Sequence, residues 1–157
     1  MPPRPVLPII AIGASAGGLE ATSRLFDALP SATGCAFIVI QHLDPHHESL
    51  MVALLAEHTA MPVVEAVHGC PLMADHVYVI PPGRYLSVSA GTLRLSKPEA
   101  GHGTRLPFDW LIRSLAASCG RQSAAVILSG TGGDGSRGII ALNAAGGMIL
   151  AQSIAEA

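Results

Sequence analysis

Apolar residues in this chain come in short unbroken runs, separated by stretches where they recur every three or four positions. Pro8 to Ile12 and Cys35 to Gln41 are runs of strand length, and a run without polar alternation is what a strand covered on both faces needs. Pro62 to Ala66, His76 to Ile80, Ala124 to Ser129 and Gly147 to Ala151 read as further strands, the second of them stopped by Pro81-Pro82-Gly83. Between these runs the period changes to that of a helix. Gly18 to Leu29 carries Leu19, Phe26 and Leu29 near one face and ends at Pro30. Glu48 to about His58 carries Met51, Leu54, Leu55 and His58 at i, i+3, i+4, i+7 spacing. Pro107 suits a first helical turn, Asp109 suits the positive end of the helix dipole, and Phe108, Leu111, Ile112, Leu115 and Cys119 form the apolar side of a helix reaching about Ser118. A last helix runs from a glycine loop to about Ala145. Tyr85 to Ser89 and Thr92 to Ser96 flank Ala90-Gly91, the pattern of a hairpin. Lys97 to Leu106 has no periodicity and reads as a mobile surface loop.

Strands alternating with helices predict an α/β fold: a doubly wound, mostly parallel sheet with helices on both faces and an antiparallel hairpin portion. The length of 157 residues suits one domain. Residues 1–8, rich in proline, read as an N-terminal tail, and 9–157 as the domain. The chain stops directly after a strand with no covering helix, which reads as a truncated C-terminal end.

Composition narrows the function. Half of the residues are apolar but only six are aromatic, so the core is built from Ala, Val, Ile and Leu. The net charge of −2 and the lack of like-charge runs give no basic face for nucleic acid. The three cysteines, Cys35, Cys70 and Cys119, lie far apart with no CxxC pair, which suits reduced thiols and a cytoplasmic location. No apolar stretch is long enough to span a membrane, and the N-terminus lacks the apolar region of a signal peptide.

In an open parallel sheet, ligands collect beyond the carboxyl ends of the strands. Three such ends carry reactive residues. The first strand runs into Gly13-Ala14-Ser15-Ala16-Gly17-Gly18, the second ends at Gln41-His42, and a later one at Gly130-Thr131-Gly132-Gly133-Asp134-Gly135. Gly13-x-Ser15-x-Gly17 has the glycine spacing of a nucleophile elbow at a helix N-terminus. Each residue also has a plain structural reading: Ser15 in a tight turn, His42 hydrogen-bonded at a strand end, Asp134 capping the next helix. Acyl transfer needs a nucleophile, a base and a carboxylate that orients the base, and all three fall on one edge of the expected sheet.

At these residues the sequence resembles the catalytic domain of the chemotaxis receptor methylesterases, the CheB family, and the likeness runs from about Ile9 to Gln152. It is carried by Ile12-Gly13-Ala14-Ser15-Ala16-Gly17-Gly18, Val39-Ile40-Gln41-His42, Val77-Tyr78-Val79-Ile80-Pro81-Pro82-Gly83, Phe108-Asp109-Trp110 with Ser114-Leu115, and Leu128-Ser129-Gly130-Thr131-Gly132-Gly133-Asp134-Gly135. Gly17 to Ala21 and Gln41 to Pro45 look closer to forms fused to other signalling modules. The resemblance implies Ser15 as nucleophile, His42 as base and Asp134 as the third member. It also implies hydrolysis of glutamate methyl esters on the cytoplasmic helices of methyl-accepting chemoreceptors, deamidation of certain glutamines, and no cofactor. The backbone N–H groups of Ala16 and Thr131 are expected to hold the oxyanion. The family usually has Thr at the position of Ala16 and often Met at that of Thr131, and continues into a Met-Pro segment this chain lacks.

Three other readings compete. Gly130-Thr131-Gly132-Gly133-Asp134-Gly135 fits G-x-G-x-x-G between a strand and a helix, as in a nucleotide-binding module, but the acidic residue such a module wants about twenty positions on is displaced to Glu156. His42, Asp44, His46 and His47 are dense enough for zinc but match no established ligand spacing. The fold could also serve as a catalytically silent docking module. Trp110 reads as core, Arg105 as solvated, and Cys70 and Cys119 as small core fillers.

Overall fold

The computed structural model describes residues 7–14, 18–41, 50–98, 106–128 and 133–153. Six strands form one sheet: β1 (Ile9–Ala14), β2 (Ala36–Gln41), β3 (Val63–Glu65), β4 (His76–Val79), β7 (Ser123–Ile127) and β8 (Met148–Ala151). Their order is β3-β4-β2-β1-β7-β8, and every neighbouring pair is parallel. From β1 the chain lays β2 beside it, places β3 at the edge, fills the gap with β4, and then crosses to add β7 and β8 on the other side. The hairpin strands β5 (Tyr85–Ser89) and β6 (Thr92–Ser96) form a separate antiparallel pair. The antiparallel portion therefore lies outside the main sheet.

The strands that read as continuous apolar runs are the central ones. All six residues of β2 are buried. Alternate side chains of β2 enter two cores. Ala36, Ile38 and Ile40 join the core shared with the hairpin, α3 (Pro107–Ser118) and α4 (Ser136–Ala144). Phe37 and Val39 join the core under α1 (Leu19–Ala28) and α2 (Met51–Ala56), where Phe26 meets Phe37 edge to face at 5.7 Å. Helices on both faces satisfy what a two-sided apolar strand demands.

Two helical expectations change. The helix expected from Glu48 to His58 is α2, which ends at Ala56; residues 48 and 49 lie outside the described ones. Met51 and Leu55 are buried, Leu54 is 37% exposed, and His58 lies past the helix with Nδ1 2.9 Å from Asp27 Oδ1 on α1. The i, i+3, i+4, i+7 pattern was thus broken by a helix too short to hold its last member. Trp110, read as core, is 46% exposed, because α3 buries Phe108, Leu111, Ile112 and Leu115 and Trp110 falls on the other side. Of the loop expected from Lys97 to Leu106, residues 99–105 lie outside the described residues.

Candidate active site

The carboxyl ends of β2, β1 and β7 lie side by side in the sheet. Ala14 pairs with Gln41 across β1 and β2, and Gly13 pairs with Ile127 across β1 and β7. Leu128 N–H donates to Gly13 O at 2.9 Å, which extends that pairing past the end of β7. In sequence, Ser15 follows Ala14, His42 follows Gln41, and Asp134 follows β7 by a short glycine-rich loop. Ser15, Ala16, His42 and Thr131 lie outside the described residues, as do Asp44, His46, His47, Arg105 and Glu156.

Asp134 is described, and its setting is specific. It is 5% exposed. Its Oδ2 accepts the N–H of Phe108 at 3.1 Å and its Oδ1 accepts the N–H of Asp109 at 2.8 Å. These are donors of the first turn of α3, which have no partner within their own helix. Asp134 therefore caps α3, the helix that precedes it in the chain. The next helix, α4, starts from Gly135, which has a left-handed φ of 99°. Two backbone donors fix the plane of the carboxylate, and an ionised carboxylate still has lone pairs for another partner. The Oδ1 of Asp109 in turn accepts the N–H of Gly138 at 2.6 Å and so ties α3 to α4.

Phe108 joins this carboxylate to the end of β1. A methyl group on Gly13 would come within 2.6 Å of the Phe108 ring, and one on Gly135 within 2.9 Å. The ring thus occupies the space that both glycines leave open. Gly13 is needed for this approach at least as much as for a tight turn. The close packing of α3 on α4 has the same origin, since a methyl on Gly138 would lie 2.9 Å from Ile112 Cβ. Sequence reasoning placed Phe108 in the core but missed its part in joining β1 to the Asp134 loop. The available signal was a glycine inside an apolar strand, which marks a close approach by another group.

The described residues contain no group of three or more His, Cys, Asp or Glu arranged for a metal. Gln152 follows β8, where a dinucleotide module would place its acidic residue. No helix among the described residues is long and apolar enough to cross a membrane.

Comparison with known proteins agrees with this architecture. Residues 10–157 match the CheB methylesterase family. A protein-glutamate methylesterase/protein-glutamine glutaminase of Myxococcus xanthus is 37% identical over 145 residues, covering 92% of this chain and 41% of the relative. An uncharacterised 104.1 kDa protein of Rhodobacter capsulatus is 44% identical over 107 residues, which are 68% of this chain and 11% of that protein. The crystal structure of the Thermotoga maritima CheB methylesterase catalytic domain superposes with a TM-score of 0.83 at 26% identity, over 92% of this chain and 78% of that one. The chain spans less than half the length of the curated methylesterases it matches. Matched over residues 10–157 and carrying the same fold, this chain belongs to the CheB methylesterase family.

Proposed function

We propose that this chain is a serine hydrolase that removes methyl esters from glutamates on the cytoplasmic helices of chemoreceptors and deamidates certain receptor glutamines. Residues 9–157 are its catalytic domain and 1–8 a lead-in. The observation that carries the reading is the register of three adjacent strands. Ala14 pairs with Gln41, so Ser15 and His42 each follow a paired position, while the strand on the other side of β1 leads to a buried, backbone-anchored Asp134. Named relatives are protein-glutamate methylesterases, which supports the choice of ester.

The chemistry follows from the residue types. Ser15 Oγ attacks the side-chain carbonyl carbon of the substrate while His42 takes its proton. Asp134 accepts the other ring N–H of His42, which holds the tautomer and offsets the charge of the imidazolium. The backbone N–H groups of Ala16 and Thr131 stabilise the oxyanion; losing one donor from such a hole typically costs about 10²–10³ in rate. Collapse expels methanol, or ammonia from a glutamine, protonated by His42. Water, activated by the same histidine, then hydrolyses the acyl-enzyme and restores Ser15. None of these steps calls on a cofactor. Within the Rhodobacter protein the matching stretch is a small part of a long chain, which supports a domain that works linked to other modules.

Methanol release from carboxyl-methylated chemoreceptor preparations tests the reading. The parent chain is expected to release methanol and Ser15→Ala to lose at least about a thousandfold of that rate. Equal release by the two would remove Ser15 as nucleophile.

A further inference from the structure

Beside the anchored end of α3 lies an open groove of about 410 Å³, lined by Ser87 of β5 and by Trp110, Arg113 and Ser114 of α3. Trp110, Arg113 and Ser114 share one face of the helix by their i, i+3, i+4 spacing. Trp110 is held in place although 46% exposed: its ring packs at 5.1 Å on Tyr85, whose hydroxyl accepts the N–H of Leu106 at 3.2 Å. Ser114 is committed to the fold, its Oγ accepting Val88 N–H at 3.0 Å and donating to Leu111 O at 2.7 Å. Arg113 is different. Its side chain is 60% exposed and makes one long contact, 3.9 Å to Asp109 Oδ2. A guanidinium carries five N–H donors in a planar fork, so most of this one is turned to solvent.

Basic residues outnumber carboxylates on the described parts of the two elements that line the groove. The hairpin and α3, over residues 85–98 and 106–118, hold Arg94, Lys97 and Arg113 against a single carboxylate, the buried Asp109. Arg94 stands directly opposite Ser87 in the hairpin register. Arg94 and Arg113 thus put two cations on the groove side of these elements, in a chain of net charge −2. The groove sits close to Asp134, because Arg113 follows Asp109 by four residues, about 6 Å along the helix, and the Asp109 N–H is bonded to Asp134.

We propose that this groove docks an acidic helical segment of the substrate protein. Arg113 grips a carboxylate within one or two turns of the glutamate being processed, and Trp110 packs against the apolar flank of the same helix. This rests on the hydrolase reading above and adds to it a basis for choosing among glutamates: those with free acidic neighbours are favoured. An Arg–carboxylate pair with an aromatic anchor beside it is a common centre of protein recognition.

Trp110 is the sole tryptophan of the chain, so its fluorescence reports on the groove. The probes are an alanine-based helical peptide with glutamates at i, i+4 and i+7 and the same peptide with glutamines. The glutamate peptide should shift Trp110 emission saturably, with affinity that falls as salt is raised. It should bind more tightly than the glutamine peptide, and Arg113→Gln, checked for native circular dichroism, should weaken it about three- to fivefold while leaving the glutamine peptide unchanged. Equal binding of the two peptides, no emission change, or an Arg113→Gln variant that binds as the parent does would overturn the proposal. Peptide binding without methanol release from methylated receptors would sink the esterase reading and leave the groove standing. Methanol release without peptide binding would do the reverse.

Discussion

Gly13 and Asp134 each serve more than one end. A glycine two residues before Ser15 reads from sequence as room for a sharp turn, yet its missing side chain also admits the Phe108 ring. Gly13→Ala should therefore cost about 1–3 kcal/mol by overpacking, read as a lower urea midpoint. Adding Phe108→Leu should recover part of that loss, since the two changes meet at one contact. A Gly13→Ala chain as stable as the parent would show that the ring yields freely. Asp134 was legible as a carboxylate beyond a strand's carboxyl end and as a cap, but its capping of α3 was not. Its partners, the N–H groups of Phe108 and Asp109, stand about 25 residues earlier in the chain, a distance that no local pattern spans. The exposure of Trp110 was hidden for a similar reason: an aromatic on a mostly apolar helix reads as core until the hairpin is seen to leave that side open.

Elements were the most legible level where turn chemistry and period agree. The hairpin falls on Tyr85–Ser89 and Thr92–Ser96 as expected, with Ala90 and Gly91 both at positive φ, 51° and 73°, as a tight two-residue hairpin turn requires. The second helix was less legible because its span depends on what it packs against. At the end of the sheet away from the reactive residues, another carboxylate links elements that the sequence does not connect. Asp75, just before β4, accepts the N–H of Thr33 at 2.6 Å, the Thr33 hydroxyl at 3.0 Å and the N–H of Gly34 at 2.9 Å, and its own N–H donates to Cys35 O at 2.7 Å. These bonds clip the start of β4 to the start of β2. The backbone N–H of Thr33, then that of Gly34, hold the Asp75 carboxyl below its ordinary value of 3.8. A lowered folded pKa stabilises the native state above the unfolded value and loses that effect as pH falls through the folded one. The stability gap between the parent and Asp75→Asn should be full above the ordinary carboxylate pKa and shrink below it, as followed by thermal denaturation. A gap that stays constant into acid would contradict the clip.

For the whole molecule, alternating strands and helices were enough to give a parallel, two-sided sheet, because continuous apolar runs such as β2 leave no alternative to burial on both faces. Strand order was not legible. It depends on long-range choices, above all the crossing that sets β7 beside β1 and opens a switch point at the ends of β2, β1 and β7. That crossing sets the strand that leads to Asp134 beside the strand that leads to Ser15, more than a hundred positions earlier in the chain. The most direct test of the site is covalent. A fluorophosphonate, which reacts with activated serines, followed by peptide mass spectrometry, should give one adduct, on the peptide containing Ser15. The adduct should be absent from Ser15→Ala and should form about 10²–10⁴ times more slowly in His42→Ala. An adduct on another residue, or labelling of Ser15 that ignores the loss of His42, would contradict the triad.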